Sequence, residues 1–78
     1  MSPTVFRSGG YRFYFFSREE PRVHIHVKHA DGEAKFWLEP ILALAVHTGL
    51  TARELARMQR AVEEHHGEIV RAWRAHFG

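Results

Sequence analysis

Two histidines separated by one residue, His24-Ile25-His26, are the most chemically suggestive feature of the sequence. On a β-strand, positions i and i+2 point to the same side, so both imidazoles stand a few ångströms apart. Such a pair suits two metal ligands, or a general acid and base for metal-independent phosphodiester cleavage. In the second case Lys28 or Arg12 would steady the pentavalent phosphate. A metal needs further ligands, and only Glu39 or His29 are placed to help. Strand alternation sends His29 to the opposite face, so no metal and no cofactor is expected. The plainer reading of His24 and His26 is exposed sheet residues packed beside an aromatic, here Trp37.

Other chemistry-bearing residues point less far. His65-His66 falls in a helical pattern, where neighbours at i and i+1 do not converge on one metal, and reads as core or boundary histidines. Glu63-Glu64 with Arg53, Arg57 and Arg60 fits a solvated, ion-paired helix face. No nucleophile elbow, phosphate loop or dinucleotide fingerprint is present.

The 78 residues suffice for one domain with one core, whose net stability at this size is about 3–5 kcal/mol. With no cysteine, disulfides and thiolate metal sites are excluded. Hydrophobic residues at 45% and aromatics at 13% indicate a globular chain rather than a disordered one. The apolar run Ile41–Val46 is far short of the ~20 residues that span a bilayer. Met1–Arg7 lacks a charged segment followed by an apolar one, so no signal peptide is expected and the cytoplasm is the expected location. Lys+Arg 11 against Asp+Glu 9 leaves a net charge of only +2, so any nucleic-acid affinity must come from how the charges are arranged. The seven histidines make charge and anion affinity depend on pH near their reference pKa of about 6.5.

The elements that position these residues divide near Pro40. Thr4–Arg7 and Tyr11–Phe16 flank Ser8-Gly9-Gly10, and Val23–His29 and Glu33–Leu38 flank Asp31-Gly32, which predicts two β-hairpins over 1–39 joined by the Ser17–Arg22 loop. Residues 40–78 read as helical. Pro40 and Gly49 bracket a short helix at about Ile41–Thr48. Thr51-Ala52-Arg53-Glu54 is a capping box, with Leu50 and Leu55 as a hydrophobic staple. From there Leu55, Met58, Val62, Ile69, Trp73 and Phe77 recur at helical spacing, which predicts one long amphipathic helix. The expected fold is α+β: a single domain with a four-stranded, mainly antiparallel sheet covered on one face by a short and a long C-terminal helix. The order of the strands is left open.

An Asp31-Gly32 turn would pair Lys28 with Lys35, Val27 with Phe36 and His26 with Trp37. Ile25, Val27, Ala34, Phe36 and Leu38 then share a core face, and His24, His26, Lys28, Lys35, Trp37 and Glu39 the other. A Gly9-Gly10 turn would pair Arg7 with Arg12, Phe6 with Phe13 and Val5 with Tyr14. Phe6, Phe13 and Phe15 would face the core, with Arg7, Arg12, Tyr14 and Phe16 opposite. Two like-charged cross-strand pairs, Arg7–Arg12 and Lys28–Lys35, would each repel by a few tenths to ~1 kcal/mol, which an anionic ligand would relieve. Basic residues among aromatics suit single-stranded RNA. The same residues also suit a protein or dimer interface, or long cationic stems covering a half-exposed sheet.

Pro3-Thr4-Val5-Phe6-Arg7, Gly10-Tyr11-Arg12-Phe13-Tyr14-Phe15-Phe16-Ser17, Glu20-Pro21, Val23-His24-Ile25-His26-Val27 and Ala34-Lys35-Phe36-Trp37-Leu38 resemble, in order and spacing, the bacterial domain of unknown function 4160 family. The resemblance covers nearly the whole chain. The family's "HVHV"-type strand here reads His-Ile-His-Val, preceded by Arg22-Val23 where a proline often stands. The family has no settled activity. Its members commonly look like halves of two-gene cassettes and are described as toxin–antitoxin components or transcriptional regulators. The resemblance implies a cognate small protein partner, with RNA or DNA as the further target, and carries the histidine pair over to His24 and His26, with Lys35 and Trp37 beside them.

Together these observations predict a non-enzymatic component of a toxin–antitoxin-like or regulatory pair. It would bind its partner, and nucleic acid, through Arg7, Arg12, Tyr14, His24, His26, Lys28, Lys35 and Trp37. The alternative is a metal-independent endoribonuclease with His24 and His26 as its catalytic acid–base pair. No membrane role is expected, and a homodimer through the remaining apolar surface is left open.

Overall fold

Alternation with period two over Tyr11–Tyr14 and His24–Lys28 commits both segments to strands whose odd-numbered side chains share one face. The computed structural model describes residues 4–15 and 21–77. Strands β1 (Thr4–Ser8), β2 (Tyr11–Tyr14), β3 (His24–His29), β4 (Gly32–Trp37) and β5 (Ala43–Thr48) form an antiparallel meander in the order β1-β2-β3-β4-β5. Helices α1 (Ala52–Glu64) and α2 (His66–Phe77) follow. The two hairpins meet edge to edge through β2 and β3, which resolves the strand order left open by the sequence.

Phe13, Phe15, Ile25, Val27, Ala34, Phe36 and Leu38 are buried against Met58, Val62, Ile69, Val70 and Trp73 of the helices. The core face is the one that alternation predicts. Phe6 stacks on Phe13 with centroids 4.2 Å apart, extending the apolar layer onto β1. No helix among the described residues is long and apolar enough to cross a membrane.

The sheet has five strands rather than four, because Ala43–Thr48 is β5 and not the expected short helix. A helix of about eight residues has little intrinsic stability. Pairing the segment with β4 instead satisfies backbone groups along the edge of β4. Val46 and Thr48 also lose less side-chain freedom in a strand than in a helix. The expected long helix is likewise two: α1 ends at His65 (φ −107°, ψ 16°) and α2 starts at His66. His65-His66-Gly67 has low helix propensity. The break lets the His65 ring pack 4.2 Å from Phe6, while His66 Nε2–H donates to the Leu38 carbonyl at 3.0 Å.

Pairing in the second hairpin also differs from expectation. His29 pairs with Gly32, so Ala30 and Asp31 form the turn and the register shifts by two: Lys28 faces Glu33, His26 faces Lys35 and His24 faces Trp37. A shift of two preserves the faces, but it replaces the repulsive Lys28–Lys35 pair with an opposite-charge pair. Close packing favours the observed register, since a Cβ on Gly32 would collide with the Thr48 carbonyl and a Cβ on Gly49 with the Asp31 carbonyl. These two glycines press the β3–β4 turn against the entry to α1. In the first hairpin Arg7–Arg12 and Phe6–Phe13 pair as expected, and an irregularity between Thr4 and Phe6 brings Thr4, rather than Val5, opposite Tyr14. The predicted place of Phe16, and residues 17–20 of the loop, lie outside the described residues.

The capping box forms as read: Glu54 N–H donates to Thr51 Oγ1 at 3.1 Å and Thr51 N–H donates to Glu54 Oε1 at 2.9 Å. The Thr51 N–H foremost, then its hydroxyl, hold the Glu54 carboxyl below its ordinary value of 4.5. A depressed carboxyl contributes stability that is complete above 4.5 and is lost as pH falls through the folded value beneath it. Thermal melts of the wild type and Glu54→Gln should therefore converge as pH falls below 4.5, the amide keeping the box geometry without the charge. Acid limbs that stay parallel would contradict this. Gly49 has φ +68°, and Gly49→Ala is expected to cost about 1–3 kcal/mol in urea denaturation. A loss under about 0.5 kcal/mol would show that the turn yields without strain.

Candidate functional site

The face opposite the helices carries all eight residues singled out from sequence. Arg7 and Arg12 stand on β1 and β2, Tyr14 on β2, His24, His26 and Lys28 on β3, and Lys35 and Trp37 on β4. Cross-strand pairing aligns Tyr14, His26 and Lys35 in one row and Arg12, Lys28 and Glu33 in the next.

This face is more closed than the sequence suggests. Arg12 lies over the Tyr14 ring, 4.6 Å from its centroid, and its Nε–H donates to Thr4 Oγ1 at 2.8 Å. Tyr14 stacks on His26 with centroids 5.4 Å apart, and its hydroxyl donates to Glu33 at 3.4 Å. Lys35 and Arg22 lie over Trp37 at 4.4 and 4.3 Å, and Arg22 Nε–H also donates to the Glu39 carbonyl at 2.8 Å. Each cation–ring contact is worth about 0.5–1 kcal/mol at an exposed site. Tyr14 keeps only 4% of its surface exposed. The rings that a nucleotide base would need for stacking are thus largely occupied by cations of the same chain.

His24 and His26 are brought together, with ring centroids 5.1 Å apart, but in unequal surroundings. His24 is 0% exposed, enclosed by Trp37 at 5.4 Å and by Trp73 of α2 at 5.0 Å. Its Nδ1 lies 2.7 Å from the Arg22 carbonyl, which can only accept, so Nδ1 carries the proton. His26 is half-buried on the sheet surface. An acid–base pair for cleavage needs both rings within reach of substrate, and His24 has no surface to offer. It acts as a polar plug that ties the Arg22 backbone to the two tryptophans.

Sequence reasoning missed the most exposed apolar surface. Ile41, Val46 and Leu44 are 71%, 54% and 40% exposed, the first just before β5 and the others on it. Val46 faces Lys35 across the ladder, and with His26, Glu33, His47 and Thr48 these two line a shallow open groove where the basic face meets the sheet edge. One signal was available: residues 40–52 contain no Asp, Glu, Lys or Arg. Arg22 was also missed, because its partners Trp37 and Glu39 are distant in sequence and meet it only through the pairing of β3 and β4. His29 stands away from the basic face, as alternation predicts, and lies beside Glu54.

A family model described as a domain of unknown function, DUF4160, matches residues 10–74. No curated protein and no solved structure matches the chain.

One like-charged pair survives the change of register. Arg7 is exposed and faces Arg12 directly, so Arg7→Glu should stabilise the protein by a few tenths to about 1 kcal/mol. A lower melting temperature in that variant would show that Arg7 makes a stabilising contact of its own.

Proposed function

The chain belongs to the domain of unknown function 4160 family, and from that membership and the geometry of the sheet we propose that it is the non-enzymatic half of a toxin–antitoxin-like or regulatory pair, binding a cognate protein. The observation that carries this reading is the exposure of Ile41, Leu44 and Val46 on an edge free of charged residues. Edge strands are ordinarily blunted by charge, proline or a covering element. An uncharged, apolar edge next to cations fits a partner strand that adds its backbone to β5 and sets side chains against Leu44 and Val46. The half-buried Lys35 and His26 beside Val46 give that partner a polar rim on which to fix its register.

Of the eight residues foreseen, Lys35 and His26 border this surface directly. Arg7 and Lys28 are exposed cations farther across the face and suit a nucleic-acid contact by the assembled pair. The burial of His24 lends no support to the nuclease alternative.

The test is co-expression with the product of the adjacent gene, followed by titration of the purified proteins. Val46→Lys and Leu44→Lys should each weaken the complex at least about tenfold. Because both positions are exposed, the melting temperature of the free protein should barely change. Undiminished affinity in both variants would overturn the reading. So would a stable homodimer through β5 that leaves no edge for another protein.

A further inference from the structure

His29, at the end of β3, Asp31, in the β3–β4 turn, and Glu54, in the first turn of α1, stand together on the helix side of the sheet, remote from the basic face. One ligand atom from each lies within 4.8 Å of the other two. The cluster follows from packing already described: Gly32 and Gly49 let the turn press against the entry to α1, which sets Asp31 and His29 beside the helix's first carboxylate. We propose that these three residues form a binding site for a divalent transition-metal ion of the zinc class.

The decisive observation concerns His29 Nδ1. This nitrogen is buried, in a side chain that keeps 27% of its surface exposed, and has no hydrogen-bond partner among the described residues, although Glu54 Oε2 lies 3.3 Å away. The two atoms face each other at close range without the alignment of a donor and an acceptor, so the pair leaves a buried polar nitrogen unsatisfied. Ligands about 2.1 Å from a tetrahedral ion lie about 3.4 Å from one another. The Nδ1–Oε2 separation is therefore already that of two ligands on one ion.

The remaining features agree. Glu54 uses Oε1 to accept the Thr51 N–H, which fixes the carboxylate and leaves Oε2 turned toward His29. The capping contacts keep Glu54 ionised, as a ligand must be. Asp31 is exposed on its turn, and its carboxylate stands within the cluster as the third ligand. The His29 ring is held from the side by Tyr11, with centroids 4.8 Å apart, which restricts its orientation. One imidazole and two carboxylates form a donor set that suits a borderline ion such as Zn²⁺, with water completing the shell, rather than Mg²⁺. The positive end of α1 and Arg57, which acts on Glu54, oppose a cation here; two carboxylates oppose them in turn.

The test is calorimetric titration of the tag-free protein with Zn²⁺, alongside thermal melts with and without the ion. The wild type should bind one Zn²⁺ per chain and melt at higher temperature when loaded. His29→Ala, Asp31→Asn and Glu54→Gln should each weaken binding at least about tenfold, while His26→Ala should leave it unchanged. Glu54→Gln retains the capping geometry, so its loss of affinity would not reflect an unravelled helix end. No binding at about millimolar Zn²⁺, binding that survives all three substitutions, or binding lost in His26→Ala would each overturn the proposal.

Discussion

A single sheet has two faces, and the described residues hold helix enough for only one. Helices α1 and α2, of 13 and 12 residues, lie on the side bearing Phe13, Ile25, Val27 and Phe36. The other side must be closed by its own side chains, and its composition follows from that need. Rings supply area, and long cationic stems cover the rings while their charged heads stay near water. Arg12 over Tyr14, with Arg22 and Lys35 over Trp37, makes the second face a thin layer of cation–aromatic contacts. His24, tied to the Arg22 carbonyl and packed by Trp73, closes the end of that layer where the sheet meets α2.

This constraint separates what was legible in the sequence from what was not. The two faces of β3 and β4 could be read directly, because a period of two leaves no ambiguity in His24-Ile25-His26-Val27-Lys28. The capping box could be read because Thr51 and Glu54 act within one helical turn. Register was harder, since it depended on Gly32 and Gly49 meeting across strands rather than on the preference of Asp31-Gly32 for a turn. Leu42–Thr48 carries an apolar pattern compatible with helix or strand, and only the open edge of β4 decides between them. The burial of His24 was hidden because Trp73, which encloses it, lies far along the chain.

Function is displaced by the same logic. Residues that looked like an open platform are largely engaged with one another, whereas among the described residues β5 has β4 on one side only. Val46 pairs with Lys35 and sits beside His26, so the edge meets the rim of the basic face there, while Leu44, paired with Phe36 across an irregularity, stands on the helix side of the same edge. Family membership adds no activity of its own. The chemistry of that surface favours an extended protein segment over a nucleotide, because the open features are backbone edge and aliphatic side chains rather than bare rings.

The most direct test of this account is the accessibility of side chains to a small soluble nitroxide, read as line broadening in NMR spectra of the free protein. The account predicts the strongest attenuation at the methyl groups of Ile41, Leu44 and Val46, with Tyr14 and His24 nearly untouched. Broadening centred on Tyr14, His24 and Trp37, with β5 protected, would contradict it, and would return the basic face to the role of an open ring platform.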